Sequence, residues 1–173
     1  MRRAALLAVT ALLAGVVLVG CRRPSPPPPQ PLPFDHSIHV RVELDQGTLQ
    51  CTSCHPGAER GAHAGLPALA YCLRCHMRPQ GDPPTPREHL VREAGARGGP
   101  FRWIQVTREP GHVYFSHAAH VSLAKLTCKD CHGDVTSWQA APKAPNQRLL
   151  SMDRCLACHR ARGAPTHCNT CHQ

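Results

Sequence analysis

The sequence predicts a mostly irregular fold with short α-helices and one small β-hairpin, organised around bound groups rather than a core of its own side chains. Three observations predict it. The 173-residue chain holds only a handful of aromatic residues (Phe 3, Trp 2, Tyr 2), so large side chains to fill an interior are scarce. It holds 18 Pro and 13 Gly, which interrupt any long helix or strand. Ten of its 11 cysteines fall into five Cys-x-x-Cys-His units, each the means of holding something large.

The units are Cys51-Thr-Ser-Cys54-His55, Cys72-Leu-Arg-Cys75-His76, Cys128-Lys-Asp-Cys131-His132, Cys155-Leu-Ala-Cys158-His159 and Cys168-Asn-Thr-Cys171-His172. Shuffling this composition would give the pattern roughly 0.05 times per chain. In such a unit two thiols add to the two vinyl groups of haem, and the adjoining His supplies one axial ligand. Zinc and disulfides are the rival readings, since four-cysteine zinc sites also use Cys-x-x-Cys pairs. Ten cysteines would make two and a half such sites, and neither rival needs a His after every pair. The expectation is five covalently bound c-type haems. The fold is then a multihaem cytochrome c fold organised around a haem stack, with residues 34–173 as the pentahaem domain, 28 residues per haem.

The N-terminus reads as an address. Met1-Arg2-Arg3 is basic, Ala4 to Gly20 is uncharged and mostly apolar, and Leu18-Val19-Gly20-Cys21 follows. Those four residues resemble the lipobox of bacterial lipoproteins. This implies a signal peptide over 1–20, lipidation of Cys21, and a domain on the periplasmic side of a bacterial membrane. An uncleaved membrane anchor is the alternative, though the run sits at the short limit for spanning. Residues 21–33 form the anchored Cys and a proline-rich linker. As polyproline II, at about 3.1 Å per residue, its proline run makes a spacer of roughly 30 Å.

Eight further histidines could supply sixth ligands. Phe34-Asp-His36-Ser-Ile-His39-Val40 matches Phe115-Ser-His117-Ala-Ala-His120-Val121, and the spacing puts both imidazoles on one face of a helical turn. Each copy precedes one haem motif and then a Cys-Leu-x-Cys-His motif, so residues 34–76 and 115–159 read as repeat halves, with a fifth motif appended at 168–172. His36, His39, His117 and His120 are the expected distal ligands. The fifth iron has Met152, His112 or His167 as candidates, or a vacant position. A thioether ligand at Met152 would raise that haem's potential; a packing methionine is the alternative. Surface or packing roles are expected for His63 and His89.

Between the halves, Gly81 to Pro86 is a loop by composition and Arg87 to Ala96 a short helix. Phe101 to Val106 and His112 to Phe115 are the expected arms of the hairpin, and Trp103 packs over a haem. The formal charge of +9 does not signal nucleic acid. Losing Arg2 and Arg3 with the leader removes two charges. Five haems with ionised propionates bring the holoprotein to about +2 oxidised and about −3 reduced, with Arg and Lys pairing the propionates.

The Phe-x-His-x-x-His plus Cys-x-x-Cys-His layout resembles the class III multihaem cytochromes c. Val113 to Val121, Cys128 to Gly133 and Leu150 to Arg160 are similar to the pentahaem cytochrome subunit of bacterial alternative complex III and quinone reductase complexes; Ala64-Gly65-Leu66-Pro67 fits as well. The resemblance implies a periplasmic electron-transfer subunit without a catalytic residue of its own. It would accept electrons from quinol-oxidising membrane subunits and an iron–sulfur subunit. It supports the same four distal histidines. The chain departs from that family at Thr107, where a His is usual, in the short Arg160 to His167 link, and in a lipid anchor replacing a membrane helix. A self-standing anchored shuttle and a small multihaem reductase are the competing functions; a reductase would need a haem with an open position.

Overall fold

The computed structural model describes residues 29–172. The expected signal peptide, Cys21 and the first prolines of the linker lie outside them. Among the described residues no helix is long and apolar enough to cross a membrane.

Short helices and loops make up nearly all of the structure. In chain order they are α1 (His36–His39), a two-residue strand pair β1 (Glu43–Leu44) and β2 (Gly47–Thr48), α2 (Cys51–Cys54), α3 (Gly57–Arg60), α4 (Leu69–His76), α5 (His89–Arg97), a π-helical turn (Ala119–Leu123), α6 (Cys128–His132), a 3₁₀ turn (Val135–Ser137), α7 (Met152–Ala161) and α8 (Cys168–Cys171). Every Cys-x-x-Cys unit is helical, which sets its two sulfurs three residues apart on one face. The expected helix near 87–96 is α5, ended by Gly98 at φ +66.

The hairpin is elsewhere than expected. β1 and β2 pair antiparallel, Glu43 with Thr48 and Leu44 with Gly47, and Gly47 takes φ +104 in the turn. Residues 101–110 are irregular instead. The reason is that both arms find other partners. The Gln30 side chain satisfies Ile104 twice, accepting from its N–H at 2.9 Å and donating to its carbonyl at 2.8 Å. Val113 bridges to His172. The proline-rich stretch is thereby drawn into the fold from Gln30 onward, and Leu32 is buried.

The described residues hold one small apolar cluster. Leu32, Val91 and Ala94 are buried together, with Leu69, Leu73, Leu90, Phe101 and Trp103 packed around them. Trp103 belongs to this cluster, donating to the Pro67 carbonyl at 2.9 Å and meeting Phe34 edge-on at 6.2 Å. Gly95 lets α4 and α5 approach: a Cβ there would sit 2.9 Å from the Leu73 side chain. Beyond this cluster, among the described residues, only Ala58 and Leu126 are buried apolar residues, and no side chain there is fully enclosed. The rest of the interior is open space.

Candidate functional site

That space is one connected cavity of about 4090 Å³. All ten motif cysteines and all five motif histidines line it, with His36, His39, His63, His112, His117, His120, His167 and Met152. Shared among five groups it offers roughly 800 Å³ each, within the roughly 300–1,000 Å³ typical of a pocket for one cofactor-sized ligand. None of the ten cysteines is in a disulfide. Burial pushes Cys54, Cys72, Cys128, Cys131 and Cys155 up from the usual thiol range. Among the described residues no group of three or more His, Cys, Asp or Glu is arranged to hold a metal ion.

The imidazoles are held through one nitrogen and left free at the other. Nδ1 of His55 donates to the Gly65 carbonyl at 2.7 Å and Nδ1 of His159 to that of Pro165 at 2.6 Å. Nδ1 of His172 donates to the His112 carbonyl at 3.3 Å and Nδ1 of His76 to Glu88 Oε1 at 2.8 Å. Nδ1 of His39 donates to the Asp35 carbonyl at 2.7 Å, that of His120 to Ser116 at 2.7 Å and that of His117 to Ala62 at 2.8 Å. An imidazole donating from Nδ1 presents an unprotonated Nε2 lone pair, the form an iron needs. Burial lowers the pKa of His36 and His132 below the usual imidazole range, which keeps both neutral. His36 Nδ1 is buried without a hydrogen-bond partner, a polar atom left orphaned at the cavity wall.

These rings face one another in pairs. His39 and His76 have centroids 6.1 Å apart, His120 and His159 6.2 Å, and His117 and His132 6.5 Å. Two imidazoles on opposite sides of one metal ion, with bonds of about 2 Å and about 1.2 Å from nitrogen to ring centre, would stand roughly 6.4 Å apart. The three spacings match that figure. His112 and His172 make a fourth pair at 5.4 Å, with ring planes 16° apart.

The two Phe-x-His-x-x-His segments share one geometry. Phe34 meets His36 edge-on at 4.8 Å and His39 face-on at 4.4 Å; Phe115 meets His117 edge-on at 4.9 Å and His120 face-on at 4.7 Å. Asp35 caps the first turn by accepting from the Ile38 N–H at 3.2 Å, and Ser116 caps the second by accepting from Ala119 at 3.3 Å. In the second copy the turn runs on as a π-helix, a form that recurs at functional sites.

Of the remaining candidates, His63, His167 and Met152 also line the cavity, whereas His89 does not. His63 contacts Glu109 at 3.1 Å and His89 contacts Glu93 at 3.6 Å, each through a largely exposed ring. His167 precedes α8 as its N-cap. Met152 opens α7 and is 59% exposed. Sequence reasoning missed three supports. Trp138 packs edge-on against His36 at 5.8 Å, and its carbonyl accepts from the Ser37 N–H. Glu88 holds His76. The backbone carbonyls of Gly65, Ala62 and Pro165 hold three more rings. Only Glu88 left a trace, its i,i+4 spacing to Arg92.

Comparison with known proteins decides the class. Residues 113–173 match the family described as cytochrome c7 and related cytochrome c. The chain is also 33% identical over 146 residues, 75% of its own length and 67% of the relative's, to the menaquinone reductase multihaem cytochrome c subunit of Nitratidesulfovibrio vulgaris. The chain belongs to the multihaem cytochromes c. Its cofactor is covalently bound c-type haem and its work is electron transfer, which such a cytochrome performs without turning over a substrate of its own. In this multihaem cytochrome the cavity takes the place of the missing side-chain core, and the facing imidazoles stand across it.

Proposed function

We propose that this cytochrome carries five haems and works as an electron-transfer subunit of a quinone-reactive membrane complex, tethered at the periplasmic face through lipidated Cys21. The carrying observation is geometric: five Cys-x-x-Cys-His units open on one cavity, and imidazoles face three of the motif histidines across gaps sized for one iron. The thiols of each unit would form the thioethers. His55, His76, His132, His159 and His172 would be proximal ligands. His39 faces His76, His117 faces His132 and His120 faces His159 as distal partners. His36, beside His55, completes the first site. His112 serves His172, in preference to the exposed Met152.

Such haems supply reversible one-electron chemistry at closely spaced irons. The chain's own part is to hold each imidazole neutral and oriented, to exclude water from the cavity, and to set potentials through ligand type and burial. The relative's name ties it to menaquinone reduction. A haem array conducts in either direction, so the same subunit would suit a complex that reduces quinone or one that oxidises quinol.

The test has three readouts. Mass spectrometry of the mature protein should give the lipidated chain from Cys21 plus five haems. Ferric spectra should be wholly low-spin; a methionine charge-transfer band would restore Met152, and a high-spin signal would revive the reductase reading. In detergent-solubilised membranes on a native gel, the haem-stained band should contain integral quinone-binding and iron–sulfur subunits. Migration alone, at the mass of the holoprotein, would make it an anchored shuttle instead.

A further inference from the structure

The chain order of the motifs is not their order in space. α1 carries His36 beside His55 and His39 facing His76, so one helical turn serves the first and second motifs. Cys54 also lies close to Cys72 and Cys75. The segment His117–His120 does the same for the third and fourth motifs, with His117 facing His132 and His120 facing His159. Arg154, just before the fourth motif, donates to the Asp130 carbonyl inside the third at 3.1 Å.

The contact between these two pairs is reciprocal. Ser37 N–H donates to the Trp138 carbonyl at 3.1 Å, and Ala118 N–H donates to the Gly61 carbonyl at 2.9 Å. Ser37 and Ala118 follow equivalent histidines, and Trp138 and Gly61 each stand six residues beyond a motif histidine, the third and the first. α1 packs on the 3₁₀ turn after the third motif, and the π-helical turn packs on α3 after the first. Ser122 adds a bond to the Glu59 carbonyl at 2.8 Å. This crossing brings the first and third motifs together: the Cys51 and Cys128 thiols are neighbours, and His55 neighbours His132.

The two remaining flanks are ends. The second motif backs onto α5 and the Leu32–Val91–Ala94 cluster. The fifth neighbours the fourth, Cys171 beside Cys155, and its far side is pinned by Val113 and by Tyr114, whose N–H donates to the Cys171 carbonyl at 2.7 Å. We infer that the chain lays out its attachment sites as a single row, Cys72/Cys75, Cys51/Cys54, Cys128/Cys131, Cys155/Cys158, Cys168/Cys171. The row's ends are the second and fifth motifs, and its only crossing between halves is the meeting of the first and third. This rests on the five-haem reading above.

The test compares H36M and H39M in the full-length holoprotein by EPR-monitored potentiometric titration. A haem whose own midpoint is moved changes its charge at a different potential, and its direct neighbours feel that change most strongly. H36M should shift the midpoints of two other haems and H39M of one. A row following the chain order predicts the reverse, one for H36M and two for H39M, and that result would overturn the inference. Should neither substitution alter the ferric spectrum, the ligand assignment is what has failed. The row is then decided on the wild-type ferrous protein by NMR. Nuclear Overhauser contacts between the haems on Cys51 and Cys128, with none between those on Cys72 and Cys128, uphold it; the opposite pattern refutes it.

Discussion

Four of the motif histidines donate from Nδ1, three of them to backbone carbonyls; His76 donates to a carboxylate. Arg92 grips that carboxylate at 2.5 and 2.6 Å, and with the His76 bond it pulls Glu88 down to about 2. Glu88 is therefore ionised at any physiological pH, and with His76 as the proposed proximal ligand a full negative charge behind it would strengthen it as a donor and favour ferric iron. E88Q should raise the midpoint of one haem by about 40 mV, the equivalent of about 1 kcal/mol at 59 mV per tenfold; an unmoved titration would mean that Glu88 only packs. The depressed pKa also sets a sign. The carboxylate adds stability above its ordinary value of 4.5, and that stability drains away as pH falls toward about 2. An acid-unfolding curve of E88Q should lack that part of the decline. Gly57 is constrained by space instead. A Cβ there would lie 2.2 Å from the His63 carbonyl and 2.9 Å from that of Ala64. Since both clashes are with backbone, G57A should cost about 1–3 kcal/mol, read as a lower melting temperature. Its loop presents Ala62 to His117 and Gly65 to His55, so two haem environments should change in the visible spectrum as well.

At the scale of elements, α1 and the His117–His120 turn are too short to persist on their own. What holds each is a capping side chain, a Phe ring against both imidazoles, and a brace from the other half of the chain. Asp35 is the stronger cap, ionised below the usual carboxylate range chiefly by the Ser37 hydroxyl at 2.6 Å. D35A should destabilise the holoprotein by about 0.5–2 kcal/mol in chemical denaturation. D35S, copying the residue at 116, should restore most of that. The loss should be full at neutral pH and vanish as pH falls below the range in which Asp35 is ionised. These turns were legible in the sequence because Phe-x-His-x-x-His repeats next to haem motifs, and so were the helical motif units and α5. Two things were not. The hairpin expected at 101–115 failed because a distant Gln30 amide and His172 claimed its backbone groups, and nothing local in the chain marks such partners. The reciprocal brace between halves also hid, since it runs through the backbone of Trp138 and Gly61, where residue type carries no signal.

The molecule as a whole inverts the usual relation between chain and ligand. A domain of this size ordinarily buries about two thirds of the surface its unfolded chain exposes. Here five apolar residues are buried among those described, and the largest interior feature is the cavity. The one packed cluster, around Val91 and Ala94, secures α4 and α5 alone. Most of the remaining elements contribute residues to the cavity wall, where apolar side chains face a space that water would otherwise fill. Haem supplies what the chain lacks: a rigid apolar ring for the walls to pack on, and two thioether bonds that tie each short helix to it. Those bonds also shorten the loops of the unfolded chain and so reduce the entropy that folding must overcome. The chain made without haem attachment should therefore have no native state to lose. Expressed in a compartment that cannot attach haem, it should give a far-UV circular dichroism spectrum of an unfolded chain, no cooperative thermal transition, and rapid digestion by trypsin at its many Arg and Lys residues. The holoprotein should resist the same digestion. A cooperative melt in the haem-free chain would show that its side chains and backbone bonds suffice to fold it, and the reading of haem as the core would fall.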